Sequence, residues 1–228
     1  TLELLYNKAK ENNAVICGGS LASVEGELPP NDKRVFQVEG FVNFEEYQFD
    51  FGFTRFIYKR ELLQTHNIRF PNYRIYEDPV FLLKAMIQAR RFYAVTEEVY
   101  VYSGAHQKDL DVKKTIDYLH GLRDNLLLSA EFGYGKLHCI LFERLKSTAS
   151  YYAEKNLDTL DVVLYEAMIA VNSTIDKKLL KSEGVNVSED YLIPALHTVW
   201  RASGNYMKLR KKLSFKTYIH FLRKNRID

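Results

Sequence analysis

Two acidic residues stand side by side at Glu77-Asp78, directly before Pro79 and an apolar stretch with helical spacing. A carboxylate can accept a proton from a hydroxyl group that lies within hydrogen-bond reach. The same residues can instead serve the helix: Asp78 is a good N-cap, Pro79 suits the first helical position, and Glu77 lies near the positive end of the helix dipole. The dipeptide alone favours the capping interpretation.

Three basic residues, Arg55, Lys59 and Arg60, precede the acidic pair. Guanidinium and ammonium groups bind phosphate oxygens, so these side chains could face a diphosphate. A solvated basic face of a helix is the favoured alternative.

The elements that position these residues follow from hydrophobic periodicity. Leu2 to Asn12 predicts an amphipathic helix, and the apolar run 14–17 predicts a buried strand that ends in a turn at Gly18-Gly19. Residues 20–33 read as a loop, and 36–53 stays unassigned. Further along, the pattern predicts a helix over 58–66, a helix opening at 77–79, and two strands at 92–95 and 99–102.

After Gly104 most of the sequence is helix-periodic. The predicted helices cover 115–132, 137–155, 160–172, 191–202 and 208–226. The sequence therefore predicts an α/β region followed by an all-α region, with domains at 1–106 and 107–228.

Composition describes an ordinary globular protein, since 46% of the residues are hydrophobic and 27% are charged. The two cysteines make no disulfide framework, and no apolar run approaches the roughly 18 residues of a membrane span, so we expect a cytoplasmic protein. Residues 1–106 carry a net charge of −2 and 107–228 one of +5. Basic residues surround an apolar stripe in 208–226, a pattern that suits either an anionic membrane surface or a docked terminal helix.

A series of short motifs carries a resemblance to a known family. They are Phe56-Ile57-Tyr58-Lys59-Arg60-Glu61-Leu62-Leu63, Asn67-Ile68-Arg69-Phe70-Pro71, Tyr76-Glu77-Asp78-Pro79-Val80-Phe81, Lys84-Ala85, and Tyr100-Val101-Tyr102 ahead of His106. In this order and spacing they resemble the second half of the catalytic domain in bacterial family 2 glycosyltransferases. The helical half of the chain matches no family.

The resemblance implies a GT-A type fold and the inverting transfer of a sugar from a nucleotide donor to an acceptor hydroxyl. Asp78 aligns with the acidic base that takes the proton of the attacking hydroxyl, and Glu77 with a neighbour that helps to hold the acceptor. His106 aligns with a histidine that completes the coordination of a divalent cation, Mn²⁺ or Mg²⁺; a simple loop histidine is the alternative. Asp109-Leu110-Asp111 matches the family's metal-binding D-x-D by letter, but its place before a helix favours N-capping.

The strand-helix-strand unit that binds the nucleotide in this family has no counterpart here, and the chain opens on Thr1 in helical register. We therefore expect the acceptor half of the enzyme and its C-terminal helical region, with the cation held only in the full-length parent and no activity in this piece alone. The expected partners are a nucleotide sugar and a saccharide or lipid-linked acceptor of bacterial polysaccharide or glycolipid synthesis, and no nucleic acid. The alternative is a non-catalytic helical interaction module with a degenerate transferase remnant.

Overall fold

The structure is a computed structural model that describes residues 1–24, 26, 28–29, 32–103, 110–156 and 161–187. The chain divides into two compact units, 1–108 and 109–228. The first is built on a mixed sheet and the described part of the second is helical, so the predicted fold class, α/β followed by all-α, is confirmed.

Unit 1 is built on a four-stranded sheet of order β2-β4-β1-β3. The central strand β1 runs parallel to β4 and antiparallel to β3, and β2 runs antiparallel to β4. A short 3₁₀ turn, Phe53–Arg55, leads into β3. The elements are α1 (Leu2–Glu11), β1 (Ile16–Ser23), β2 (Gly40–Asn43), α2 (Phe44–Tyr47), β3 (Phe56–Tyr58), α3 (Arg60–Thr65), α4 (Glu77–Ala89) and β4 (Arg91–Tyr102).

Strand β4 is a single strand of 12 residues where the sequence predicted two. Its register against β1 shifts in the middle, because Gly18 pairs with Ala94 while Ser20 already pairs with Glu98. Such an irregularity absorbs extra residues without ending the strand. Thr96, Glu97 and Glu98, which separate the two predicted strands, therefore lie within β4.

Gly18 and Gly19 lie inside β1, so the predicted turn at this point is wrong. A Cβ at Gly18 would overlap the ring of Phe56 on β3. A Cβ at Gly19 would lie 2.6 Å from a methyl group of Val99 and 2.7 Å from the Glu97 carbonyl on β4. Glycine is needed here because neighbouring strands approach closely, not because the chain turns.

One face of the sheet packs against α1. Leu5 of the helix, Cys17 of β1 and Val95 of β4 form its buried centre, with Ala9 and Ile57 packed against them. The long helix α4 follows α3 and is buried along much of its length.

Unit 2 is described as a helical assembly in which α5 packs against α6, α7 and α8. Asp111 caps α5 by accepting a hydrogen bond from the Lys114 backbone N–H at 2.8 Å, as the sequence predicted. A π-helical turn, Leu145–Ala149, joins α6 to α7 without a break, and α9 was not predicted. The helices are α5 (Val112–Glu131), α6 (Gly135–Arg144), α7 (Ser150–Asn156), α8 (Val162–Asn172) and α9 (Lys177–Ser182).

The predicted helices over 191–202 and 208–226 lie outside the described residues. Within the described ranges, no helix combines the length and the apolar character needed to cross a bilayer.

Candidate functional site

The acidic pair lies in the first turn of α4, where Glu77 and Asp78 are both half-buried. Tyr76 is the N-cap residue; its backbone is left-handed, with φ 67° and ψ 13°, and its side chain is buried. The prediction that Asp78 caps the helix and that Pro79 opens it is wrong, because the helix begins at Glu77. Pro79 is still tolerated, since the first four N–H groups of a helix have no intrahelical acceptor.

The carboxylate of Asp78 acts electrostatically on the phenol of Tyr58, the last residue of β3. Burial raises the pKa of Tyr58 above its usual value, the positive charge of Arg55 opposes this rise, and the negative charge of Asp78 adds to it. The Tyr58 hydroxyl donates to the Phe53 carbonyl at 3.0 Å, and its ring meets Phe81 edge-on at 5.2 Å. Strand β3 and helix α4 thus bring the carboxylate close to a neutral phenol and its aromatic neighbours.

Four rings form what we call the aromatic surface: Phe53, Tyr58, Phe70 and Phe81. Phe70 stacks on Phe81 with ring centroids 4.1 Å apart, and Phe53 meets these two rings edge-on at 5.5 and 6.4 Å. Phe70 is 47% exposed, so much of its ring remains open to solvent. Phe81 follows Asp78 by three positions, and residues three apart lie on the same side of a helix. The aromatic surface therefore begins on the side of α4 that carries Asp78.

Arg55 lies elsewhere, fully buried between the rings of Phe36 and Phe56, which are 4.6 and 4.8 Å from its guanidinium carbon. Its Nε has no partner among the described residues. The two Nη atoms donate to the carbonyls of Gly19 (3.2 Å), Arg34 (2.9 Å) and Lys33 (3.2 Å) and to the Tyr47 hydroxyl.

This network makes Arg55 a structural residue. The Tyr47 hydroxyl in turn donates to the Lys33 carbonyl at 2.6 Å. Burial raises the pKa of Tyr47 to about 12, so the phenol stays neutral. Arg55 thereby ties the loop at 33–34 to β1 and α2. The prediction that Arg55 faces a diphosphate is wrong, because its enclosed guanidinium cannot reach a ligand in solvent. The alternative, a solvated basic face of a helix, is wrong for Arg55 for the same reason.

Lys59 and Arg60 are exposed, at the end of β3 and the start of α3. They lie together on the rim of a cavity of about 430 Å³, whose other walls come from α1 and the residues leading into β1. Arg55 does not line this cavity. That Lys59 and Arg60 face a diphosphate stays a prediction.

His106 and Asp109 lie outside the described residues, so the predicted cation ligand stays a prediction. In the part of the chain that the structure describes, no three His, Cys, Asp or Glu side chains come together as a metal site would require.

Neither the aromatic surface nor the burial of Arg55 was predicted from the sequence. The only signal in the sequence was the number of rings, 16 Tyr and 14 Phe in 228 residues. Composition does not say which rings meet, because these contacts join residues far apart along the chain.

The fold is similar to that of TarS from S. aureus, a glycosyltransferase. The structure of TarS 1-349 in complex with UDP-GlcNAc matches with a TM-score of 0.53 and 18% identity, over 78% of this chain and 54% of that chain. TarS 1-349 in complex with UDP gives a TM-score of 0.52 and 17% identity, over 78% and 53%. A further TarS structure gives 0.56 and 17%, over 93% of this chain and 38% of that chain.

The chain thus spans about half the length of TarS 1-349. No family model matches the sequence, and no curated protein matches it either. At these identities, the likeness defines a glycosyltransferase-like fold.

Proposed function

We propose that this chain is the acceptor-binding part of a family 2, GT-A type glycosyltransferase that transfers a sugar from a nucleotide donor with inversion. The observation that carries the proposal is the position of Glu77 and Asp78: a half-buried acidic pair in the first turn of α4, next to the aromatic surface with its exposed ring Phe70, in a glycosyltransferase-like fold. The same pair is the one that the sequence resemblance assigns to the base and its neighbour.

In the proposed reaction, Asp78 is the general base. A sugar hydroxyl is a weak nucleophile at neutral pH, and a carboxylate within hydrogen-bond reach takes its proton as the new bond forms. The acceptor oxygen attacks the anomeric carbon of the donor, the bond from that carbon to the phosphate oxygen breaks, and the nucleoside diphosphate leaves with the electron pair. Displacement from the opposite side inverts the anomeric configuration. Glu77 accepts a hydrogen bond from the acceptor and holds it in place.

The aromatic surface suits an acceptor that is itself a saccharide. Aromatic rings offer a large, rigid, apolar contact area, and ligand sites combine such area with a few placed polar groups. Phe70 would supply the contact area and Glu77 and Asp78 the polar groups. We propose a saccharide or a lipid-linked saccharide of bacterial polysaccharide or glycolipid synthesis as the acceptor.

For the donor we propose a uridine diphosphate sugar, because TarS structures contain UDP-GlcNAc and UDP. The donor would be bound by the complete enzyme, together with a divalent cation, Mn²⁺ or Mg²⁺. The described residues form no cation site, so no step of the proposed reaction is assigned to a cation. We further propose a cytoplasmic enzyme that meets the inner face of the membrane through residues 208–226, which lie outside the described ranges.

The test is the stereochemistry of transfer by the complete enzyme. UDP-GlcNAc and UDP-glucose, both α-linked donors, are supplied with a panel of saccharide acceptors, and the anomeric configuration of any product is assigned by NMR. The proposal predicts β-linked products. Products with α-linkage would contradict inversion, and the absence of transfer from every donor and acceptor would favour the interaction-module alternative.

A further inference from the structure

A second site lies in unit 1, in the cavity of about 430 Å³ that Lys59 and Arg60 border. This volume falls in the range of small-molecule pockets. No residue of α4 lines the cavity, so it does not include the acidic pair at Glu77 and Asp78, although Tyr58 of the aromatic surface lies in its wall. Its walls come from α1, the approach to β1, the end of β3 and the start of α3.

The buried and half-buried part of the cavity lining is mostly apolar. It consists of Ala9, Ala14, Val15, Cys17 and Ile57, together with Tyr58. Burial raises the pKa of the Cys17 thiol to about 11, so this side chain is neutral and behaves as a small apolar group. An apolar part of a ligand would be transferred from water onto this floor, which is favourable in proportion to the area covered.

The rim of the cavity is cationic. Lys10, Lys59 and Arg60 line it, and no Asp or Glu does so among the described residues. The charged groups of these three side chains have no ion pair or hydrogen bond within the described part of the chain, whereas the ammonium group of Lys8, also on α1, pairs with Glu39 at 2.7 Å. Three like charges around one cavity repel each other, and an anion between them removes that cost.

An apolar floor below three cations suits a ligand that has both an anionic group and an apolar group. We propose that this cavity binds an amphiphilic phosphate, that is, a phosphate monoester that carries an apolar group. The phosphate is held by Lys10, Lys59 and Arg60, of which Arg60 offers a planar fork of donors that matches phosphate oxygens. The apolar group lies against Val15, Cys17 and Ile57 at the floor.

The experiment measures binding to this chain by calorimetric titration at low salt. The probes are hexyl phosphate, inorganic phosphate and hexanol, with uridine monophosphate as a second organic phosphate. We expect hexyl phosphate to bind at least tenfold more tightly than inorganic phosphate, which lacks the apolar group, or hexanol, which lacks the charge. We expect hexyl phosphate to bind more tightly than uridine monophosphate, because the nucleoside is polar where the cavity is apolar; the reverse preference would contradict an amphiphilic ligand.

The variants test the site. Lys59→Gln with Arg60→Gln removes two charge-assisted contacts, and Lys10→Gln removes a third from a different element; each is expected to weaken hexyl phosphate binding, the pair by about tenfold or more. Lys177→Gln with Lys178→Gln is the matched control, since these are also two exposed neighbouring cations at the start of a short helix. Circular dichroism and thermal melting verify that each variant is folded.

Three further results would overturn the proposal: no binding of hexyl phosphate at millimolar concentration, equal binding by the Lys59/Arg60 double variant and by the Lys177/Lys178 control, or equal affinities for inorganic phosphate and hexyl phosphate. The second result would mean that surface charge alone attracts the probe, and the third that the apolar floor has no part in binding.

Discussion

Phe70 stacks on Phe81 with an interplanar angle of 11°. Phe81 lies on α4, about one helical turn after Asp78. Phe81 is 5% exposed and anchored in the core, whereas Phe70 is 47% exposed. The pair is thus a rigid inner ring that supports an open outer one. In the proposed enzyme this outer ring contacts the acceptor.

Replacing Phe70 by Ala should therefore weaken acceptor binding. An aromatic contact contributes about 0.5–1.5 kcal/mol beyond its buried area, so the acceptor KM should rise about two- to thirteenfold while the donor KM stays the same. Initial rates at varied acceptor concentration give both constants. Phe132→Ala is the matched control, because Phe132 is similarly exposed, at 45%, and stacks on a neighbouring ring, Tyr134. An unchanged acceptor KM in the Phe70 variant would remove the aromatic surface from the acceptor site.

Arg55→Leu should destabilise unit 1. The substitution removes the guanidinium donors from the carbonyls of Gly19, Lys33 and Arg34, and a hydrogen bond to a charged group contributes about 1.5–3 kcal/mol. We expect the free energy of unfolding, measured by urea titration, to fall by about 3 kcal/mol or more. Arg69→Leu, at an exposed position, should stay within about 0.5 kcal/mol of the parent. A small effect at Arg55 would show that its network is replaced by water or by a local rearrangement.

His138 in unit 2 predicts a dependence of stability on pH. Its Nε2 accepts a hydrogen bond from the Asp176 backbone N–H at 3.0 Å, so the proton of the neutral ring lies on Nδ1, which donates to the Ser129 hydroxyl at 2.8 Å. The hydroxyl in turn donates to the Leu126 carbonyl at 2.9 Å. Burial lowers the pKa of His138, and the charge of Asp176 only partly opposes this.

Because the folded protein keeps His138 neutral, the unfolded chain takes up the proton first as the pH falls. The contribution of His138 to stability should be constant above the ordinary histidine pKa of about 6.5 and should fall below it, until the folded pKa is reached. Urea unfolding at intervals from pH 7.5 to 5 measures this slope. His138→Gln should flatten it, whereas His66→Gln, at an exposed position, should keep it. An equal slope in the parent and the His138 variant would assign the dependence to other groups.

Local patterns in the sequence were sufficient for α1, for the start of α4 near Glu77 and for the capping role of Asp111, because each depends on residues that are close along the chain. Local patterns failed where the structure depends on contacts between residues that are far apart in the sequence. Gly18 looks like a turn residue, yet it lies in a strand because the ring of Phe56 needs its space.

The candidate site divides in the same way. The acidic pair could be found from its motif, but its neighbour Phe70 could not be linked to it. Arg55 looked like a surface cation, because nothing nearby in sequence shows the buried carbonyls and rings that surround it.

The most direct test of the proposed mechanism is the kcat of Asp78→Asn in the complete enzyme. An amide keeps the size and hydrogen-bonding capacity of the side chain but cannot take up the proton of the acceptor, and loss of a general base typically lowers the rate by about 10²–10⁴. We expect such a loss in kcat with an unchanged donor KM and an unchanged melting temperature, while Glu154→Gln, at an exposed position on α7, keeps the parent's activity. A kcat of Asp78→Asn within a few-fold of the parent would contradict the assignment of Asp78 as the base.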